Sequence, residues 1–478
     1  MGISTAHPPG RGLADVARRT RRNWRFPILA CALGVLAGCV APARPNLKPD
    51  LPATWRNATA ASAPAPDLRG WWKAFSDAEL DRLVDQALAD NLTIAQAALR
   101  LEGARALAGH RYSAFLPQLG AHTLSEPTPD SSASYFQFGF DARWELGLFG
   151  RSKSQARISM ADLGVAEADA QAARVSVVAE VVRSYIELRG AQHRLQLLQQ
   201  VGAGAQDKVD LTETRLRLRL ASANELARAR IELASSRAAL AEPQLAIERN
   251  RQKLAVLLGR SEPLPEWSGT GAQPRLGDLG IESMPADLLR TRPEIQRAES
   301  EVLKALGEYG VARADRFPRI GLGGSLTYSS RVLGHGRLSD ADAITTIGPA
   351  IDIPLFDWGA RKAAADAHEK ELSASVLAYR QTVLEGVAEA ETAMAALAQQ
   401  RERAAALAGG VASLEQAKAA NGTLSRLGLA DGFDRISANA ELAQARLELA
   451  AAEQDRGIAF IALYKALGGA PLPAAVER

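Results

Sequence analysis

The clearest pattern in the chain is a period-two alternation of apolar and polar residues over 135–146. Successive side chains of a β-strand point to opposite faces, so this spacing predicts a strand with one apolar and one polar face. The apolar face would carry Phe136, Phe138, Phe140, Ala142, Trp144 and Leu146. About eleven residues of alternation with large aromatic side chains suits either a strand over one packed core or a transmembrane β-strand.

Two long segments without proline, 150–220 and 357–427, show the spacing of helices. In the first, apolar positions such as Val175, Val178 and Val182 recur among charged residues. Each segment predicts one helix of about seventy residues, roughly 100 Å long. A compact globule does not need such a helix, which therefore indicates a coiled-coil-like or elongated assembly.

The two halves of the chain repeat one plan at a nearly constant offset. Phe115-Leu116-Pro117 is echoed by Arg316-Phe317-Pro318. The first repeat, 71–270, is predicted to contain helices over 76–115, strands over 118–124 and 134–146, a long helix over 150–219 and a return helix over 224–258. The second, 271–469, is predicted to contain helices over 285–316, strands over 319–329 and 344–355, a long helix over 357–427 and a return helix over 431–467, before a C-terminal tail over 470–478.

The N-terminus has the order of a secretory signal. A basic region precedes a short apolar run, and Leu36-Ala37-Gly38-Cys39 follows, which resembles a bacterial lipobox. The lipobox implies a signal peptide over 1–38 and a Cys39 that carries an S-diacylglycerol and an N-palmitoyl group. An N-terminal membrane anchor is the alternative, but the apolar run is too short to favour it. Residues 39–70, rich in Pro and Ala, predict a lipidated N-terminal tether.

Removal of this signal changes the charge of the chain. The whole sequence has 57 basic and 54 acidic residues, whereas the part after residue 38 has 51 and 53, a formal net charge of −2. This balance gives no support for a nucleic-acid partner. Cys39 would be the only remaining cysteine, so no intrachain disulfide is expected. Val40 replaces the Asp that commonly retains lipoproteins in the inner membrane, which favours the outer membrane.

Two strand pairs give four amphipathic strands per chain. Open strand edges are not tolerated in hydrocarbon, because unpaired backbone N–H and C=O groups cost several kcal/mol each. A closed barrel needs about eight strands or more. Either several copies share one barrel or the strands lie outside a membrane. In a shared barrel the lipid-facing residues would be Phe136, Phe138, Phe140 and Trp144.

An ordered series of motifs resembles the outer-membrane factor family, the TolC-like efflux proteins, especially the lipoprotein branch that serves resistance-nodulation-division (RND-type) pumps. The series comprises Trp71-Trp72, Phe75, Asp77, Leu80, the phrase DLLRTRPEIQRAE over 287–299, the two Phe-Pro strand entries and Pro354-Leu355-Phe356-Asp357. The resemblance implies a mainly α fold with a small transmembrane β part. It also implies a homotrimer that forms a twelve-stranded β-barrel, continued by a periplasmic α-helical barrel.

The function implied by this resemblance is the outer-membrane exit duct of a tripartite efflux system in a Gram-negative bacterium. The duct would conduct substrates passively from a periplasmic adaptor protein and an inner-membrane RND-type pump to the exterior. Two alternatives are an outer-membrane component of a type I secretion system and a lipid-tethered periplasmic coiled-coil protein without a pore. A coiled-coil protein without a pore should stay in solution without detergent. A shared barrel should be extracted by detergent as a trimer whose migration in gels changes on heating.

The helix reversals are candidate functional sites. Their sequences predict capped turns, with Gly428 ending one helix and Asp431 capping the next. By the resemblance, Asp431 and Asp434 would form an acidic ring of the periplasmic gate, and Arg426 would latch neighbouring helices. The adaptor-contact tips would be Leu218, Leu220, Ala221, Ser222, Leu427, Gly428, Leu429 and Ala430.

The sequence shows no arrangement of residues typical of catalysis. Its six histidines are scattered without metal-ligand spacing. Gly321-Leu322-Gly323-Gly324 lacks the Lys-Ser/Thr of a phosphate loop and lies in an alternating strand. We therefore expect no enzyme activity, no metal and no cofactor other than the covalent lipid.

Overall fold

The computed structural model describes residues 2, 42–47, 55–57, 67–126, 135–269, 271–277, 291–331, 343–427, 429 and 431–469. Cys39, nearly all of the predicted signal peptide and the predicted C-terminal tail lie outside these residues. The chain divides into two compact units, which comprise 1–46, 107–161 and 302–374, and 47–106, 162–301 and 375–478. Most described residues are helical and a minority form strands, so the predicted mainly α fold with a small β part is confirmed.

Eight α-helices lie within the described residues. In chain order they are α1 (Ala78–Asp90), α2 (Leu92–Gly109), α3 (Arg151–Arg217), α4 (Ala223–Ala238), α5 (Ala241–Leu257), α6 (Pro293–Ala314), α7 (Ala360–Arg426) and α8 (Gly432–Ala466). Both α3 and α7 have 67 residues. At 1.5 Å per residue each is about 100 Å long.

The helices predicted over 76–115 are α1 and α2, whereas the return helix predicted for the first repeat is divided in the structure. Asn91 separates α1 from α2, because its backbone is extended and its side-chain oxygen accepts hydrogen bonds from the amides of Thr93 and Ile94 at 2.9 and 3.1 Å. The return helix predicted over 224–258 consists of α4 and α5. Pro243, which has no N–H to donate to the carbonyl of Ala239, explains the break before it.

A four-stranded antiparallel sheet forms in the first unit. Its strands are β1 (Gln118–Glu126), β2 (Tyr135–Glu145), β3 (Arg319–Arg331) and β4 (Ala343–Asp352), in that spatial order. The strand predicted over 344–355 ends at Asp352, before Pro354, which cannot donate to a strand ladder. The two repeats therefore contribute one strand pair each, and β2 pairs with β3 between them.

An aromatic cluster forms part of the core of the second unit. Trp71 stacks on Tyr464 with ring centroids 5.7 Å apart, and Phe75 meets Phe460 edge-on at 5.6 Å. The indole N–H of Trp71 donates to the carbonyl of Gly469 at 2.9 Å. This cluster joins the first turn after the predicted tether to the last helix of the chain.

The described part of the predicted tether lies against the protein. The hydroxyl of Tyr379 on α7 donates to the carbonyl of Leu47 at 3.0 Å. Further along the same segment, the backbone amides of Arg56 and Asn57 donate to the two carboxylate oxygens of Glu391, also on α7, at 2.8 and 3.0 Å. These bonds hold two separate points of the N-terminal segment on α7.

Helices α3 and α6 approach closely in the first unit because small residues line their contact. A Cβ atom on Gly307 would lie 2.6 Å from Ile158 Cγ1 and 2.9 Å from the carbonyl oxygen of Ser154. Gly310 is in a similar position, between the Ser154 side chain and Pro42 of the N-terminal segment. Any larger side chain would separate the helices.

Candidate functional site

The register of the sheet gives it one apolar face. Phe138 lies opposite Tyr328, Phe140 opposite Leu326, and Trp144 opposite Leu322. Directly paired residues share a face, so both central strands contribute large apolar side chains to the same side.

The aromatic side chains of β2 are open to the surroundings. Phe138, Phe140 and Trp144 are 37, 40 and 36% exposed. The rings of Phe138 and Phe140 meet edge-on, with centroids 5.2 Å apart, and the Trp144 indole N–H donates to the carbonyl of Phe115 at 3.0 Å. The side chain of Phe136 lies outside what the structure describes. An exposed apolar row of this size is typical of a surface that contacts a membrane or another protein.

The opposite face of the sheet is polar. His122 Nδ1 lies 2.8 Å from Asp141 Oδ2, and the hydroxyl oxygens of Ser325 and Thr346 are 2.7 Å apart. Gly139 leaves room for the imidazole ring of His122, because a Cβ atom on Gly139 would lie only 3.0 Å from His122 Cε1. The sheet thus has one face suited to lipid and one suited to water.

The outer strands expose apolar residues too. Leu119 of β1 is 76% exposed and Ile347 of β4 is 89% exposed. Their pairing with Ala142 and Gly324 places both on the apolar face. Within the described residues, β1 and β4 each pair with one strand only, so the outer edge of each is open.

Ion pairs and stacking fix the junction between strands and helices. Arg151, the first residue of α3, pairs with Glu145 at the end of β2 at 3.1 Å and also with Asp315. Asp315 in turn pairs with Arg319, the first residue of β3, at 2.9 Å. The Phe149 and Phe317 rings stack with centroids 5.1 Å apart, as the backbone of Phe149 turns through a positive φ of 55°. Sequence reasoning placed the junction but missed this network.

The first helix reversal, between α3 and α4, ends in a capping box. The amide of Glu225 donates to Ser222 Oγ at 3.2 Å, and the amide of Ser222 donates to the Glu225 carboxylate at 2.6 Å. The hydrogen bonds from Ser222 hold the pKa of Glu225 below its usual range. Leu218 and Leu220 are both 64% exposed beside this cap.

The second reversal, between α7 and α8, has the same design. The amide of Asp434 donates to Asp431 Oδ1 at 3.0 Å, and the amide of Asp431 donates to Asp434 Oδ2 at 2.9 Å. Arg426 donates to the carbonyl of Gly422 and the hydroxyl of Thr423, on its own last turn. Each predicted gate carboxylate therefore uses one oxygen for the cap.

The remaining predicted tip residues lie at these reversals. Leu427 and Leu429 are 67 and 72% exposed, and Ala221 precedes the capping box. Gly428 and Ala430 lie outside the described residues. Sequence reasoning missed one contact that joins the two reversals, in which the Arg215 guanidinium lies 4.9 Å from the centre of the Phe433 ring. Only the repeat alignment could have suggested that these distant residues meet.

The described residues contain no cluster of His, Cys, Asp or Glu that could hold a metal. In the same part of the chain, every helix is too short or too polar to cross a membrane. The candidate functional residues therefore lie in two separate places, the two-faced sheet of the first unit and the two capped helix reversals of the second, which together fit a channel protein of the outer membrane.

Comparison with known families agrees with this class. A family model described as "Outer membrane efflux protein" matches residues 83–260 and 284–469. The chain belongs to this family. The predicted outer-membrane location in a Gram-negative bacterium and the predicted role as an efflux channel are confirmed. Members of the family are channels.

Individual relatives extend over nearly the whole chain. Outer membrane protein OprJ of Pseudomonas aeruginosa is 29% identical over 474 residues, which cover 94% of this chain and 96% of OprJ. Nodulation protein T of Rhizobium leguminosarum bv. trifolii is 26% identical over 457 residues, with 92 and 96% covered. The solved outer-membrane channel OprN has a TM-score of 0.79 at 28% identity, with 91 and 100% covered.

The two faces of β2 generate a testable difference. Phe138→Arg should lower the free energy of unfolding of the membrane-inserted protein by about 2 kcal/mol, because it places a guanidinium against lipid. Urea titration of the protein in liposomes, followed by Trp fluorescence, measures this change.

Gln137→Arg is the matched control, since it adds the same charge one residue away on the polar face. It should leave the unfolding transition nearly unchanged. Equal destabilisation by the two substitutions would contradict the assignment of the apolar face to lipid.

Proposed function

We propose that this chain is the homotrimeric exit duct of a tripartite efflux system. Three copies would share a twelve-stranded β-barrel in the outer membrane, continued by a periplasmic barrel of long helices. The observation that carries this proposal is the four-stranded sheet, which exposes an apolar face and, in the part of the chain that the structure describes, leaves β1 and β4 each with one neighbour.

Strand counting requires that more than one copy contribute to the barrel. Lipid offers no hydrogen bonds to a strand edge, so a sheet in a membrane must close on itself. Four strands are too few, because small barrels have about eight. Two copies would give eight strands; the resemblance to the outer-membrane factor family implies three copies and twelve strands, with β4 of one copy beside β1 of the next.

The duct itself would be passive. Within the described residues the polar face of the sheet offers hydroxyls, a His–Asp pair and glycines, which suit a water-filled lumen. An inner-membrane RND-type pump would supply the energy, and an adaptor protein would connect it to the duct. The relatives are outer-membrane efflux channels, which favours efflux over type I secretion, and membership of their family sets aside the protein without a pore.

The exposed leucines at the helix reversals support contact with the adaptor. Leu218, Leu220, Leu427 and Leu429 each expose about two thirds of their surface at the two reversals. Apolar side chains in such a place are suited to a partner helix that buries them.

Lipidation at Cys39 would anchor the duct from the periplasmic side of the outer membrane. The hydrogen bond that Tyr379 donates to the N-terminal segment, and those that Glu391 accepts from it, support a fixed path for the chain that follows the anchor. Labelling with radioactive palmitate should mark the wild type and not Cys39→Ser. Equal labelling of the two proteins would contradict the proposal.

The gate proposal can be separated from the capping role of Asp431. Asn caps a helix as well as Asp does but carries no charge, whereas Ala neither caps a helix nor carries a charge. If an acidic ring narrows the pore, Asp431→Asn and Asp431→Ala should both raise single-channel conductance in planar bilayers, by about twofold.

Ser222→Ala is the control, because it removes the equivalent cap from the first reversal without a change of charge. Its conductance should equal that of the wild type. An increase in Asp431→Ala and Ser222→Ala, with none in Asp431→Asn, would show that helix capping and not charge sets the conductance.

A further inference from the structure

A cavity of about 530 Å³ opens on the second unit, where the segment 271–277 lies against α3 and α8. Its volume falls in the range of about 300–1,000 Å³ that is typical of small-ligand sites. Helix α3, helix α8 and the segment all contribute to the wall, which consists of His193, Gln196, Gly271, Ala272, Gln273, Arg275 and Glu453.

Hydrogen bonds hold the chain around the cavity on both helices. The side-chain amide of Gln192 on α3 donates to the carbonyl of Trp267 at 2.8 Å, just before the segment. The side-chain amide of Gln273, within the segment, donates to the carbonyl of Ala450 on α8 at 3.0 Å. The cavity is therefore formed without a ligand, and binding would need little rearrangement of the wall.

The wall offers polar groups that a ligand can use. His193 and Gln196, both half-buried, bring an imidazole and a carboxamide, and each of these groups can donate and accept hydrogen bonds. The Oε1 atom of Gln273 is buried and has no hydrogen-bond partner among the described residues. Since buried acceptors are normally paired, this atom is an observation that a dry, self-contained surface would not explain.

Two opposite charges lie side by side in the same wall. Arg275 Nε is 3.6 Å from Glu453 Oε2, and the two side chains are 78 and 25% exposed. The distance exceeds the 2.7–3.2 Å or so of an N–H···O hydrogen bond, so the two groups attract each other without being joined. Both the guanidinium and the carboxylate can therefore bind a ligand group of opposite charge.

This spacing matches the charges of an α-amino acid. Its ammonium nitrogen and its carboxylate oxygens are about 3 Å apart, because both groups are bonded to one carbon. Placed in the reverse direction, the ligand carboxylate would meet the planar fork of Arg275, and the ligand ammonium would meet Glu453. A ligand with a single charge would satisfy one of the two groups only.

We propose that this cavity binds a free α-amino-acid centre, that is, an ammonium and a carboxylate on the same carbon. A free amino acid and a short peptide that ends in such a centre share this chemistry. The rest of a peptide would lie along His193 and Gln196. The site goes beyond the exit duct, because it uses neither the sheet nor the two helix reversals.

The test compares two isomeric dipeptides by isothermal titration calorimetry of the full-length protein in detergent. γ-Glutamylglycine keeps a free ammonium and carboxylate on one carbon, whereas in α-glutamylglycine that carboxyl forms the peptide bond. The isomers have the same atoms and the same net charge. The γ isomer should bind about tenfold more tightly, since only it can pair with both charged side chains. Equal binding of the two isomers, or no binding of either, would overturn the proposal.

Free alanine in the same assay distinguishes the two sources of the amino-acid centre. Tighter binding of γ-glutamylglycine than of alanine supports a peptide occupant, because the peptide has additional groups for the wall of the cavity. Equal binding of the two supports a free amino acid. Binding of neither removes the site, whatever the conductance of the protein, so the exit duct is tested separately.

Three variants locate the binding. Arg275→Gln and Glu453→Gln should each weaken binding of γ-glutamylglycine about tenfold, because each removes one charged partner and keeps a side chain of similar size. Arg260→Gln is the matched control, since it makes the same substitution at an exposed arginine outside the wall, and it should bind like the wild type. Equal affinities of Arg275→Gln and Arg260→Gln would contradict the assignment.

Discussion

The constraint on which the rest of the account depends is the need of a β-strand in hydrocarbon to pair every backbone N–H and C=O group. The sheet satisfies this need between its strands, where β2 pairs with both β1 and β3 along its length. Among the residues that the structure describes, the outer edges of β1 and β4 have no neighbouring strand. The short sheet of one chain is therefore an incomplete part of a larger closed structure, and its exposed apolar face is consistent with lipid contact.

The backbone groups at the helix ends also need hydrogen-bond partners. At both reversals a reciprocal cap, Ser222 with Glu225 and Asp431 with Asp434, pairs amides that a helix start leaves unbonded. Beside the strand ends, the Arg151 guanidinium forms ion pairs with the carboxylates of Glu145 and Asp315.

Sequence reasoning succeeded where the signal is local or periodic. The alternation around Phe138 predicted the strand, the absence of proline predicted the two long helices, and the Asp431 cap followed from a short turn motif. It failed where the cause lies between residues far apart in the chain. Packing between distant segments determines three such features: the hydrogen bonds of Glu391 with the N-terminal segment, the ion pairs of Arg151, and the contact of Arg215 with Phe433.

The most direct test of the shared barrel is the mass of the detergent-extracted protein, measured by native mass spectrometry and compared with its migration in denaturing gels before and after heating. A shared trimeric barrel should give one species of three mature chains that resists the gel detergent until it is heated. A single chain that stays in solution without detergent would contradict it.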